Sequence, residues 1–387
     1  MVDRNDGIAS LNRDLAPDVL RGFALLGIVL VNVAYFANDS EIGITSEALA
    51  GVGNWLAGFL VWMLAQGKFY LLFSVLFGYS SHYVIKGLKS NRRRWVMRSI
   101  GLIILGVIHF TLLWHGDILF AYGLLGLMLS LFLFLTDRAL KVWAWVFYLM
   151  FTIILSGLSV LVWSFERSGE LVQVLNPVKL NTVMKSGTYL ESIPARFELW
   201  STAISYGLFL QGGYVFMMFL VGVYLARHKA LNGGFLNNKK LMLYGFGLGL
   251  PLQGLSAWIG VNNQALETPL QGVYLGSVVF GFATAPLVTF GFIGLILYLV
   301  ENKAGLISWM HYAGRMSLTT YLLQSVFLSL IFGPWGLGLF RNVDYFVAVL
   351  ISILLWLILV GFARVWLSRF SQGPFEVLLT GFSKRFG

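Results

Sequence analysis

Stretches of about twenty apolar residues, the length that carries a helix across a bilayer, recur almost from one end of this sequence to the other. Candidate spans are 18–37, 68–86, 97–115, 117–136, 139–163, 201–226, 241–260, 271–299, 307–332 and 343–366. In hydrocarbon every backbone polar group must be bonded internally, so the expected fold is all-α, a polytopic transmembrane helix bundle. Of the 387 residues 58% are hydrophobic and 11% are charged, where a soluble domain carries roughly a quarter charged residues. So few charges cannot cover a water-facing surface. One membrane domain, 1–387, is expected, without a soluble domain or repeated halves. The loop 164–200, with Pro177 and Pro194, is read as a partly helical cap. The first apolar run begins near Val19 with no small-residue cleavage site and is read as a retained helix.

Loop charge gives the orientation, because Lys and Arg gather on the cytoplasmic side. The segment 38–50 holds Asp39, Glu41 and Glu47 and no basic residue; 86–98 holds Lys86, Lys89, Arg92, Arg93, Arg94 and Arg98. One crossing must separate them. Helix 68–86 is therefore expected to cross, and the apolar stretch 48–66 to lie at the outer interface or to re-enter. Ten crossings with both termini cytoplasmic then satisfy the loops, Arg341 on a short outer loop being the small exception. The net charge of +10 sits mostly in these loops, so membrane lipids are the expected partner and nucleic acid is not. The sequence admits a homo-oligomer. With no cysteine, thiol catalysis and disulfides are excluded, and no metal site is expected.

Polar groups inside spans cost several kcal/mol at about the bilayer centre and usually face a cavity or a partner. Arg21 and Asn32 are eleven residues apart in the first span, and Arg98 and His109 repeat that spacing in the third. Eleven residues are three turns plus about 20°, so each pair shares a helix face, roughly 16 Å apart along the axis. Two helices thus offer a cation near the cytoplasmic end and a polar group deeper, a pattern suited to a ligand that is anionic at its inner end. The bland alternative is a snorkelling Arg with one interhelical hydrogen bond.

The turn Trp114-His115-Gly116-Asp117 puts a His and a carboxylate two residues apart, a general base with its orienting partner or simply a polar turn with Asp117 capping the next helix. His109, about two turns inside the membrane, is the stronger base candidate. In the ninth span, His311 and Arg315 lie one turn apart, and Ser317, Thr320, Tyr321 and Gln324 follow at helical spacing. A polar stripe this dense must face protein or water.

Four stretches resemble the YeiB family of bacterial inner-membrane proteins. They are Asp18-Val-Leu-Arg21-Gly22 running to Asn32; Gly106-Val-Ile-His109 with Trp114-His-Gly-Asp117-Ile118-Leu119-Phe-Ala-Tyr122; Ala313-Gly314-Arg315-Met316 through Tyr321 to Gln324-Ser325; and Gln372-Gly373-Pro374-Phe-Glu376. Residues 220–382 resemble that family's C-terminal domain. The opening motif is also similar to that of transmembrane acyltransferases, such as heparan-alpha-glucosaminide N-acetyltransferase. That resemblance implies a transmembrane acyltransferase fold and transfer of an acyl group from acyl-CoA to an extracytoplasmic glycan or lipid. The acetyltransferase's Asn maps onto Asn32, while its catalytic His lies in the loop after the first span. Here the loop 36–50 has no His, and His109 is the candidate to stand in for it.

The resulting expectation assigns catalysis to His109, Asn32 and Asp117, donor phosphates to Arg21, Arg98, Arg315 and His311, and the substrate cavity to Ser317, Tyr321 and Gln324. Two other classes fit the same residues: a transporter for a small anionic or amphipathic solute, and a non-catalytic membrane scaffold.

Overall fold

The computed structural model describes residues 4–169, 178–232 and 235–387. Fifteen α-helices order them: α1 (Arg4–Ala37), α2 (Val52–Leu64), α3 (Lys68–Ile85), α4 (Arg92–Leu112), α5 (Leu119–Leu129), α6 (Asp137–Ser168), α7 (Lys179–Ser186), α8 (Tyr189–Arg227), α9 (Asn238–Gly247), α10 (Gly249–Gln264), α11 (Gln271–Ile307), α12 (His311–Arg315), α13 (Ser317–Phe332), α14 (Tyr345–Leu367) and α15 (Pro374–Phe386).

Among the described residues seven helical stretches are long and apolar enough to cross a membrane: Leu15–Ala37, Val52–Ile85, Lys89–Leu112, Asp137–Ser168, Tyr189–Arg227, Gln271–Arg315 and Tyr345–Leu367. Large apolar side chains face outward, Ile153 on α6 being 68% exposed, which suits lipid and not water. The difference from ten sequence spans lies in breaks. The stretch 117–136 yields an 11-residue α5 followed by turns. The stretch 241–260 divides at Leu248 into α9 and α10, near Pro251, whose ring carries no N–H to donate. The stretch 307–332 divides at Met316 (φ −113°, ψ 35°) into α12 and α13.

The ambiguous segment 48–66 becomes α2, joined to α3 by a short break in which Gly67 has φ +84°. The fully buried Lys68 closes the break, its Nζ donating to the carbonyls of Trp62 (2.7 Å) and Gln66 (2.8 Å). Those carbonyls have no helical partner, and the ammonium supplies one. In the loop 164–200, α7 and the start of α8 are helical, whereas Pro177 lies outside the described residues.

α1 is the central helix, packed by α3, α11, α12, α13 and α14. Glycines set the closest approaches. A Cβ on Gly22 would lie 2.1 Å from the Met310 carbonyl oxygen, and one on Gly314 would lie 1.8 Å from that of Asp18. α3 and α8 meet likewise: Gly78 abuts the Phe219 carbonyl and Gly222 that of Val75, each at 2.1 Å from a built Cβ. In a membrane, where lipid offers no hydrophobic drive between helices, such backbone contact provides the packing.

The tail closes one end of this bundle. Glu376 on α15 accepts from the backbone N–H groups of Leu318 (2.7 Å) and Thr319 (3.1 Å) and from the Thr319 hydroxyl (2.6 Å). It thereby caps α13 from outside, satisfying orphan donors with a charge that suits the helix N-terminus. The Gln372-Gly373-Pro374 motif exists to make that turn, because a side chain on Gly373 would strike Glu376 and Thr319.

Candidate active site

Three helices bring the site together. α1 carries Arg21, Ile28 and Asn32; α4 carries Arg98, Leu102 and His109; Arg315 precedes α13, which carries Ser317, Tyr321 and Ser325. Arg21, Ile28, Arg98, Leu102, Arg315, Ser317 and Tyr321 all line one cavity of about 370 Å3. Its outer end holds the exposed Arg315, Ser371 and Gln372. Its inner wall is Ile118, Leu119, Tyr122 and Tyr321.

The outer end is cationic. Arg21 pairs with Asp18 (2.6 Å) and Arg315 donates to the Ser371 carbonyl (3.1 Å). Arg98 forms no salt bridge among the described residues, and its Nε is buried without a hydrogen-bond partner. A guanidinium donor with no acceptor inside the protein is fitted to receive one from a ligand.

Behind the inner wall lies a buried relay. His109 Nδ1 meets Asp117 Oδ1 at 2.8 Å, and His109 Nε2 meets Ser325 Oγ at 2.9 Å. Neither the His109 nor the Asp117 side chain has any solvent access. A carboxylate only accepts, so Nδ1 carries the proton and Nε2 is left to accept from the Ser325 hydroxyl; this tautomer follows from the bonding partners. The sequence enforces the approach through Gly106, where a Cβ would sit 2.4 Å from the Phe120 nitrogen and 2.7 Å from Asp117 Oδ2. That second carboxylate oxygen accepts the Phe120 N–H (2.7 Å). Asp117 therefore caps α5 and orients His109 at once. Tyr321 joins relay to cavity. Its ring is 5.2 Å from that of His109, and its hydroxyl accepts the Ile118 N–H (3.3 Å).

The other residues read from the sequence fall as follows. Asn32 is half-buried, is not among the residues lining that cavity, and makes no hydrogen bond among the described residues, to His109 or to any other group. Ser317 and Tyr321 line the cavity, whereas Gln324 turns away to donate to the Leu25 carbonyl (3.1 Å). His311 bonds the Ser308 carbonyl and packs on Tyr312, outside the cavity wall. Its one-turn spacing from Arg315 does not carry into α13, because Met316 interrupts the helical phase. His115 is buried, and its Nδ1 has no hydrogen-bond partner among the described residues. Ser325 ends the Ala313–Ser325 stretch of the sequence and has no spacing signal that points to His109, its partner in the structure. Beyond the relay, Asp39 accepts from Asn181 (2.7 Å) and Arg341 (2.9 Å), which gives the exceptional outer-loop arginine its partner. Part burial, and then the Asp39 charge, raise the Glu41 carboxyl above its usual range.

Fold and site define a multi-pass, all-α membrane protein with a polar cavity. Residues 225–383 match the family described as "Protein of unknown function (DUF418)". The chain is 29% identical to "Uncharacterized protein YxaH" of Bacillus subtilis, over 93% of this chain and 92% of that protein. It is 28% identical to "Uncharacterized protein YeiB" of Escherichia coli, over 95% of each, and 26% identical to the "Uncharacterized 39.9 kDa protein in amylase 3'region" of Bacillus acidopullulyticus, over 96% and 94%. The chain is a multi-pass membrane protein that is similar over residues 225–383 to the DUF418 family and over nearly its whole length to these three bacterial proteins.

Proposed function

We propose that the protein is a membrane-embedded acyltransferase that takes an acyl group from acyl-CoA and passes it to a glycan or lipid headgroup. The observation that carries this reading is one cavity with arginines at its outer end and a carboxylate-oriented histidine behind its inner wall. Arg21, Arg98 and Arg315 bind the donor's phosphates, with geometry matched to planar, multidentate anion recognition. The acyl-pantetheine arm runs along Ile28, Leu102 and Tyr321 toward His109. A cavity of about 370 Å3 is within the usual range of small-molecule sites, roughly 300–1,000 Å3.

His109 acts as general base, held in the productive tautomer by Asp117. Asn32, with its amide unengaged, hydrogen-bonds the acyl carbonyl and steadies the developing oxyanion. The loop charges support ten crossings with both termini cytoplasmic, so the arginine end takes the donor from the cytoplasm and the acceptor arrives from the opposite side.

The test is thiol release from acetyl-CoA and palmitoyl-CoA by purified protein in nanodiscs. The wild type is expected to release thiol, and His109→Ala to lower the rate by about a hundredfold or more. Equal rates in the two proteins, or no release from either donor, would overturn the reading.

A further inference from the structure

The histidine's accepting nitrogen does not face the cavity; it faces the Ser325 hydroxyl, 2.9 Å away. A base already engaged with one hydroxyl removes that proton first. We propose that Ser325 is the nucleophile of a two-step transfer and carries the acyl group as an ester between donor and acceptor. This deepens the acyltransferase reading and rests on it.

Three observations set Ser325 apart. The first is its orientation. A buried serine in a helix commonly satisfies its hydroxyl by donating back to the carbonyl three or four residues earlier. Ser81, Ser99, Ser352 and Ser383 do this, to Gly78, Trp95, Val349 and Thr380. Ser325 does not: among the described residues its hydroxyl has His109 as its hydrogen-bond partner.

The second is the order of groups. Carboxylate, imidazole and serine hydroxyl stand in line at 2.8 and 2.9 Å, the arrangement that activates serine for acyl transfer on several unrelated folds. The carboxylate cannot rotate freely, since its other oxygen is held by the Phe120 N–H. The third is position. Tyr321, one turn earlier on α13, forms part of the cavity's inner wall. Its hydroxyl accepts from Ile118 and so keeps its own proton to donate to an oxyanion there.

The chemistry balances without a further reactant. In the first step Ser325 Oγ attacks the thioester carbonyl carbon and its proton passes to His109 Nε2. The carbon–sulfur bond breaks, and His109 returns that proton to the sulfur, leaving a serine ester and a free thiol. In the second step an acceptor hydroxyl attacks the ester carbonyl and gives its proton to His109. The bond to Oγ breaks and Oγ takes the proton back. Donor and acceptor therefore never need to occupy the cavity together.

The experiment exposes full-length protein in nanodiscs to radiolabelled acetyl-CoA or palmitoyl-CoA without an acceptor. The expected result is a burst of about one thiol per chain, with label retained after denaturation and mapped to Ser325. Ser325→Ala is expected to lose the label and at least about a thousandfold in transfer, and Ser325→Cys to regain a label as a hydroxylamine-sensitive thioester. Steady transfer by the wild type with no retained label, and Ser325→Ala within about tenfold of it, would overturn the ester while leaving the acyltransferase reading in place. A fluorophosphonate probe reads the serine independently of the donor. Labelling lost in both Ser325→Ala and His109→Ala, with no thiol released from either acyl-CoA, would uphold the nucleophile and overturn acyl-CoA as donor. Absence of labelling and of thiol release would overturn both.

Discussion

His109 and Asp117 are eight residues apart across a helix reversal, and their side chains meet at 2.8 Å with no access to solvent. The turn between them folds back on His109 itself, whose carbonyl accepts the N–H groups of Leu113 and Trp114. The same short segment therefore builds the reversal, the α5 cap and the oriented imidazole. A buried imidazole in a membrane is stable here because both ring nitrogens are satisfied.

Asp117→Asn separates these duties. The amide oxygen still accepts the Phe120 N–H, so α5 remains capped. Its NH2 group cannot accept the His109 Nδ1 proton, and the imidazole loses the tautomer that leaves Nε2 free to accept. Turnover of acyl-CoA should fall by about a thousandfold or more while thermal stability in detergent changes little. Paired measurements of the rate and of the melting temperature check this.

Arg98→Gln removes the cavity cation that forms no salt bridge among the described residues. KM for acyl-CoA should rise about tenfold to a hundredfold, the size of one or two charge-assisted hydrogen bonds, with kcat little changed. The defect should vanish with an acyl-pantetheine donor, which has no nucleotide phosphates. Initial rates with the two donors separate phosphate binding from a general packing effect.

Glu376→Gln tests the trans-acting cap. The amide retains one acceptor oxygen but loses the negative charge at the α13 N-terminus, a change on the order of 1 kcal/mol. A lower melting temperature is expected, together with a raised KM, because Glu376 and its helix form part of the cavity wall. Differential scanning fluorimetry and the same rate assay measure both.

Gly106→Val should impair turnover without removing any polar group. Its side chain would drive into the Phe120 backbone and Asp117 Oδ2, pushing α5 off α4 and lengthening the His109–Asp117 contact. A fall in kcat with KM retained is the expected signature, read from steady-state kinetics.

What the sequence discloses here follows from distance along the chain. Arg21 and Asn32, and Arg98 and His109, each sit on one unbroken helix, where spacing alone gives relative direction; only the arginine of each pair lines the cavity. Asp117 is legible as the cap of the next helix, but the two-residue spacing pairs it with His115, whereas in the structure its other oxygen meets His109. Ser325 was not legible, since it lies 216 residues from His109 and a serine in an apolar helix ordinarily bonds its own backbone. His311 shows the converse: its one-turn spacing from Arg315 was sound within α12, but Met316 ends that helix and α13 starts with a different phase. The number of crossings was the least legible feature, because the turns after α5, the break at Leu248 and the break at Met316 interrupt apolar stretches that composition alone reads as continuous.

The most direct measurement is a structure of the protein with a non-hydrolysable thioether analogue of acyl-CoA. Phosphate density within hydrogen-bond reach of Arg98, with the thioether sulfur beyond Tyr321 and toward His109 and Ser325, is the predicted result. Analogue bound at a surface remote from that cavity, or an undisturbed cavity at saturating analogue, would contradict it.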